Sequence, residues 1–127
     1  MILTMEKKYC IYKIINNKNG DVLYVGCHKC YSIDDNYYGS GSYIKYFKRK
    51  LKKVWKSLIH KEIICYGIEE QEDAFFFEKF YIEKYRSVGQ CILNYQDGGL
   101  ECKKHPSKLE TIKLREKIDN YIFENVI

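Results

Sequence analysis

The sequence predicts an α+β fold: a small three-stranded antiparallel sheet flanked by helices, with a C-terminal helix. Two segments rich in β-branched and aromatic residues stand either side of an Asn-Gly turn, the strongest short-range signal for a hairpin. Two later segments repeat apolar residues at helical spacing, with a third strand-like run between them.

Tyr9–Ile15 is the first predicted strand and Val22–Gly26 the second, joined by Asn16–Asp21 with Asn19-Gly20 at its tip. Side chains alternate across a strand, so Cys10, Tyr12 and Ile14 share one face, as do Val22, Tyr24 and Gly26 on the partner. In a suitable register Tyr12 and Tyr24 point to the same side of the sheet. A polar loop over His28–Tyr38 leads into Gly39-Ser40-Gly41. Ser42–Ser57 then reads as a helix whose apolar stripe is Ile44, Phe47, Leu51, Val54, Trp55 and Leu58, with its lysines largely off that stripe. Glu62–Tyr66 supplies a further short strand.

Glu69–Tyr85 is the next predicted helix. Glu69, Glu70, Glu72 and Asp73 complement the positive end of its dipole, and Ala74, Phe77, Tyr81, Ile82 and Tyr85 form its apolar stripe. Cys91–Tyr95 suits a last strand and Asp97-Gly98-Gly99 a turn; Pro106 opens a final helix ending near Asn120. The 127 residues amount to a single domain, with a core over about 8–100 and a C-terminal helical extension over 101–127.

A hydrophobic fraction of 46% excludes a disordered chain. No run approaches the roughly 18 apolar residues of a membrane span, and Met1–Thr4 is too short and uncharged to open a signal peptide. The expectation is therefore a cytoplasmic protein with no membrane partner. In that setting the six cysteines read as thiols rather than disulfides. Cys27-x-x-Cys30 and Cys102-x-x-His105 together make a formally complete structural zinc set. Separate thiols are the favoured reading, because the two halves lie far apart in sequence and Cys27 abuts the second strand.

The net charge of +5 is a weak hint, and its distribution says more. Between Lys45 and Lys61 stand eight Lys or Arg residues and no acid, whereas Glu62–Glu83 is acidic. Such segregation gives one positive surface and points to a polyanionic partner. Glu78 falls inside the apolar stripe of its helix, where a carboxylate is costly unless paired, hydrogen-bonded or bound to a metal. A structural ion pair for Glu78, and an ordinary cross-strand aromatic pair for Tyr12 and Tyr24, stay open on local evidence.

Read in order, Cys10-Ile11-Tyr12, Leu23-Tyr24-Val25-Gly26, a Gly39-Ser40-Gly41 segment before a basic helix, Glu78-x-x-x-Ile82 and Asn94 resemble the GIY-YIG nuclease family over about residues 8–100. The version is similar to phage- and virus-type homing endonucleases, with Asp34-Asp35-Asn36-Tyr37-Tyr38 preceding the glycines. Cys10 stands where the family has its first glycine, and no arginine follows Gly26 at the usual short distance.

The resemblance implies a DNA endonuclease that hydrolyses phosphodiester bonds, encoded by a phage, virus or mobile element and acting in the host cytoplasm. Glu78 would bind Mg²⁺ or Mn²⁺, Tyr12 would be or relay to the general base, and Tyr24 would orient water or phosphate. His28, Lys45 and Arg49 are the candidates for the missing cation, which would lower the tyrosine pKa and neutralise phosphoryl charge. Asn94 would orient the site. Ser40, Gly41, Lys45, Lys48, Arg49, Lys52, Lys53 and Lys56 would carry DNA through phosphate contacts, which give little sequence information. Only Leu100–Ile127 remains for target recognition, so specificity is expected from a homodimer or a partner protein. The alternative is a nucleic-acid-binding module of the same fold with weakened catalysis.

Overall fold

Asn16–Asp21 closes the hairpin as expected: Asn16 N–H donates to Asp21 O (2.9 Å), Gly20 N–H donates to Asn16 O (2.8 Å), and Gly20 takes a positive φ of 80°. A computed structural model describes residues 7–31, 36–95 and 107–127. The elements run β1 (Lys8–Asn16), β2 (Val22–Cys30), α1 (Ser42–Leu51), a 3-10 turn (Lys52–Val54), α2 (Trp55–Leu58), β3 (Ile59–Ile68), α3 (Gln71–Arg86) and α4 (Lys108–Asn125). All three strands pair antiparallel in the order β2-β1-β3, which is the predicted α+β architecture.

The central strand β1 is buried on both faces. Cys10, Tyr12 and Ile14 join Tyr43, Ile44, Phe47 and Leu51 of α1 and Ile118, Ile122 and Val126 in and beside α4 in the larger cluster. Ile11 and Ile15 turn the other way and pack with Val22, Val25, Cys91 and Ile82 of α3. One sheet thus separates two apolar layers.

Several boundaries depart from the sequence reading. The second strand continues four residues past Gly26 to Cys30, because β1 offers partners as far as Lys8↔Cys30. The third strand is likewise longer than Glu62–Tyr66, since β1 templates it from Asn16↔Ile59 to Tyr9↔Ile68. The predicted Ser42–Ser57 helix breaks at Lys52, a non-glycine residue at φ 58°, whose N–H is accepted by Arg49 O and Lys48 O. The break lets Trp55 and Leu58 pack on the larger cluster while Val54 stays exposed.

Residues 91–95 do not form a strand. Cys91 takes φ 58° and Asn94 N–H donates back to Cys91 O (3.1 Å), so the segment turns. It still covers the open edge of β2, with Cys91 N–H donating to Val22 O (2.8 Å) and Leu93 N–H donating to Leu23 O (3.0 Å). The last helix starts on Ser107, whose Oγ accepts from Glu110 N–H (3.1 Å), and runs past Asn120 to Asn125. Pro106 lies outside the described residues. No helix among the described residues is long and apolar enough to cross a membrane.

Candidate active site

The register decides the tyrosine pair. Tyr12 lies opposite Gly26 and Ile14 lies opposite Tyr24, so the two tyrosines are diagonal neighbours on one face, their ring centroids 6.2 Å apart. The Tyr12 ring extends across Gly26. A Cβ there would sit 2.5 Å from Cζ and closer still to Oη, so only glycine fits opposite this tyrosine. Gly39 and Gly41 approach the pair from the other side. A Cβ at Gly39, already at φ +97°, would lie 3.0 Å from the Tyr24 ring and 3.4 Å from the Tyr12 hydroxyl; at Gly41 it would lie 3.6 Å from the Tyr24 hydroxyl. Gly26 and Gly39 therefore shape one tyrosine pocket, and at Gly41 a Cβ would make only ordinary contact.

Tyr12 is 1% exposed and Tyr24 is half-buried. Burial pushes the Tyr12 hydroxyl far above the ordinary tyrosine range, and Tyr24, Tyr37, Glu78 and Cys10 add to the shift. The cation expected to lower it is not among these influences, and burial favours the protonated phenol of Tyr12. Tyr24 is also raised by burial, Glu78 and Tyr37, but its hydrogen bond with Tyr12 works in the opposite direction. Of the two oxygens, that of Tyr24 is the one helped towards accepting a proton-bearing partner.

Glu78 stands on α3 between Ala74 and Ile82, one turn away on either side, which are 0% and 1% exposed. Its carboxylate raises Tyr12, Tyr24 and Cys27 together, placing its charge near the pair. Burial, then Glu78, pushes the Cys27 thiol up to about 12, so it stays protonated at neutral pH. Among the described residues, no group of three or more His, Cys, Asp or Glu converges as a protein-only metal cage. A single carboxylate suits Mg²⁺, which keeps its waters and binds through one or two carboxylates plus substrate phosphate.

His28 stacks on Tyr37 (centroids 3.9 Å apart, interplanar angle 10°), and Tyr37 meets the Tyr12 ring edge-on at 6.0 Å. His28 is thus joined to the tyrosines through one ring. Asn94 holds the backbone of β2 between them: Val25 N–H donates to its Oδ1 (2.9 Å), and its Nδ2 donates to Val25 O (2.8 Å). Arg49 is elsewhere. Its guanidinium lies 5.6 Å over the Tyr46 ring, on the side of α4, where Tyr46 Oη donates to Asp119 (2.8 Å), Lys50 pairs with Asp119 (3.6 Å) and Arg115 covers the same ring. The structure does not bring it to Tyr12.

The basic helix is consequently two surfaces rather than one track. Arg49 and Lys50 face α4 through Tyr46, whereas Lys48 turns to Gly39, donating from Nζ to its carbonyl (3.3 Å). Burial, with the charges of Lys45 and Lys56, lowers the Lys48 pKa. Lys45, Lys52, Lys53 and Lys56 are exposed, as is Ser40, whose Oγ accepts from Tyr37 Oη (2.7 Å). Among the described residues, the cation over the Tyr12 ring is Lys61 of β3, 5.8 Å from its centroid, which the sequence reading did not select. Its signal was present: in a strand, Lys61 shares a face with Ile59 and Ile63, an inward lysine of the same kind as the inward Glu78.

The zinc set loses its first half on geometry. β2 runs through both Cys27 and Cys30, and residues three apart in a strand face opposite ways. Cys27 packs on the α3 side, and Cys30 packs on the α1 side with its Sγ 4.0 Å from that of Cys10. Cys102 and His105 lie outside the described residues. Comparison with protein families, curated proteins and solved structures finds no match to this chain.

Proposed function

We propose that this chain is a metal-dependent DNA endonuclease of the GIY-YIG type, hydrolysing phosphodiester bonds. The reading rests on one observation: Tyr12 from β1 and Tyr24 from β2 pack together on one face, both feel the Glu78 carboxylate of α3, and Gly26 and Gly39 leave room for the two phenols. An ordinary aromatic pair needs neither a carboxylate between two buried residues of a helix nor two glycines tight against its rings.

Glu78 would hold Mg²⁺ or Mn²⁺, and a cation bound there supplies Lewis-acid stabilisation of phosphoryl charge. The tyrosines do different work. Tyr12 stays protonated and fixes the Tyr24 hydroxyl by hydrogen bond; Tyr24, nearer the surface, orients the attacking water through its oxygen. Lys61 places positive charge beside the Tyr12 ring, where it would neutralise phosphoryl charge, one part of the role for which His28, Lys45 and Arg49 stood as candidates. Ile118, Ile122 and Val126 in and beside α4 face the core, and a second copy or a partner protein would supply target specificity.

The test is cleavage of supercoiled plasmid in Mg²⁺ by the wild type and by Glu78→Gln. Wild-type nicking or linearisation, reduced at least about a hundredfold by the substitution, is the expected outcome. Equal cleavage by both would remove Glu78 from the reaction. The second reading, a nucleic-acid-binding module with weakened catalysis, is favoured by the depth at which Tyr12 is buried. Binding of plasmid without cleavage by the wild type would establish it.

A further inference from the structure

Three elements deliver three ammonium groups to one aromatic corner. Tyr38 meets Trp55 edge-on with centroids 5.3 Å apart. Lys48 of α1 lies 4.7 Å from the Trp55 centroid and 6.0 Å from that of Tyr38. Lys56 of α2 lies 5.5 and 6.0 Å from the same two rings, and Lys61 of β3 lies 5.4 Å from Tyr38. Two of the three ammoniums are aimed by the same stretch of backbone: Lys48 Nζ donates to Gly39 O (3.3 Å) and Lys61 Nζ to Tyr37 O (3.0 Å).

The arrangement is costly for positive charge alone. Cation–π contacts offset part of the mutual repulsion, yet burial and its neighbours still disfavour the charged form of Lys48. Lys48 and Lys56 have no ion-pair partner among the described residues. An anion at the corner removes the conflict. Because Lys61 also lies against Tyr12, the corner adjoins the tyrosine pair.

We propose that Lys48, Lys56 and Lys61, on the floor formed by Tyr38 and Trp55, hold a backbone phosphodiester of a nucleic-acid strand, adjacent to the phosphate presented at Tyr12 and Tyr24. The substrate class is taken from the nuclease reading; the subsite itself stands on the corner's geometry. Backbone phosphate is the chemistry such a cluster reads, through charge and N–H donation, without base specificity.

Trp55 is the single tryptophan of the chain, so its emission reports on this corner. The experiment titrates the full-length Glu78→Gln protein, in EDTA, with a short labelled oligothymidylate. Trp55 emission and the anisotropy of the label are followed together, with inorganic phosphate as a separate arm. Emission should change saturably and in step with anisotropy. Lys48→Ala, Lys56→Ala and Lys61→Ala should each weaken binding about tenfold. The triple variant should flatten the plot of log K against log salt by about 0.7. Lys61→Arg should retain binding, and Lys113→Ala on the exposed part of α4 should change nothing. Anisotropy that saturates while emission stays still, or lysine variants that fold and bind like the parent, would overturn the subsite. Inorganic phosphate binding as tightly as the oligonucleotide would overturn the strand and leave a free-phosphate site. Oligonucleotide binding with these dependences, beside a wild type that does not cut in Mg²⁺, would keep the subsite and dismiss the nuclease reading.

Discussion

A side chain of any size at position 26 would enter the space that the Tyr12 phenol fills, since the cross-strand register sets the two residues opposite each other. Removing the tyrosine hydroxyl does not relieve the conflict, because a Cβ would still meet Cζ at 2.5 Å and Cε1 at 2.9 Å. Gly26→Ala must therefore move the ring or the strand. We expect it to lower stability by about 1–3 kcal/mol, as overpacking of a filled core does, and to change the near-UV signal of the buried tyrosines. Urea denaturation and near-UV circular dichroism measure both. An alanine variant with the parental midpoint and spectrum would mean that the ring does not cross this glycine. The chemical reason is the same as the packing reason: the glycine lets Tyr12 reach under Tyr24, and burial there keeps the Tyr12 proton in place. Sequence alone offered Tyr12 as a base because only its residue type and order were visible. The desolvation that favours its protonated form comes from long-range packing, with Ile44 and Phe47 of α1 in the same buried cluster and Gly39 against its hydroxyl, which no local pattern encodes.

At the scale of elements, what could be read from the chain was whatever its own periodicity specifies. The Asn19-Gly20 turn, the apolar stripe of α1 and the acidic start of α3 are local, and all three elements form where their patterns lie. What escaped was set by partners. β1 lengthens both of its neighbours, and Lys52 at φ 58° ends α1 where nothing in the lysine-rich run marks a stop. Residues 91–95 show the same dependence: their short apolar run suits a strand, but one asparagine does the work of a ladder. Asn94 donates to Val25 O and accepts from Val25 N–H, so its amide stands in for a strand residue at the edge of β2. Arg86 of α3 binds the carbonyls of Asn94 and Tyr95 and fixes the segment from behind. Asn94→Ala should cost about 1–3 kcal/mol by leaving both Val25 groups without their partner. Asn94→Asp should be at least as damaging at neutral pH, because a carboxylate cannot donate to Val25 O. Amide exchange at Val25, slow in the parent and fast in both variants, is the direct measurement. Unchanged protection would place the hydrogen bond elsewhere.

At the scale of the whole molecule, α4 read from sequence as an extension beyond a core ending near residue 100. The structure makes it part of the layer that contains Tyr12. Ile118, Ile122 and Val126 belong to the cluster of Tyr12, Ile14 and Phe47. Asn16, 0% exposed at the end of β1, donates to Tyr121 Oη (3.1 Å) and to Asn125 O (3.0 Å), and Tyr121 Oη donates to Asp21 (2.7 Å). The helix is therefore clamped to the hairpin turn at one end and seated on the Tyr12 layer through Ile118, Ile122 and Val126. An appended helix and an integral one differ in cooperativity. If α4 is integral, urea unfolding followed by Trp55 emission and by far-UV circular dichroism should give one coincident transition. Ile122→Ala should then shift both probes together by about 2–5 kcal/mol, the usual consequence of a large-to-small change in a packed core. If α4 were only appended, the variant would lose helical signal first and leave the Trp55 transition in place. Coincidence has a functional corollary, because the residues that hold α4 belong to the same apolar cluster as Tyr12. On the proposed nuclease reading, loosening Ile122 should depress plasmid cleavage at urea concentrations below the unfolding transition.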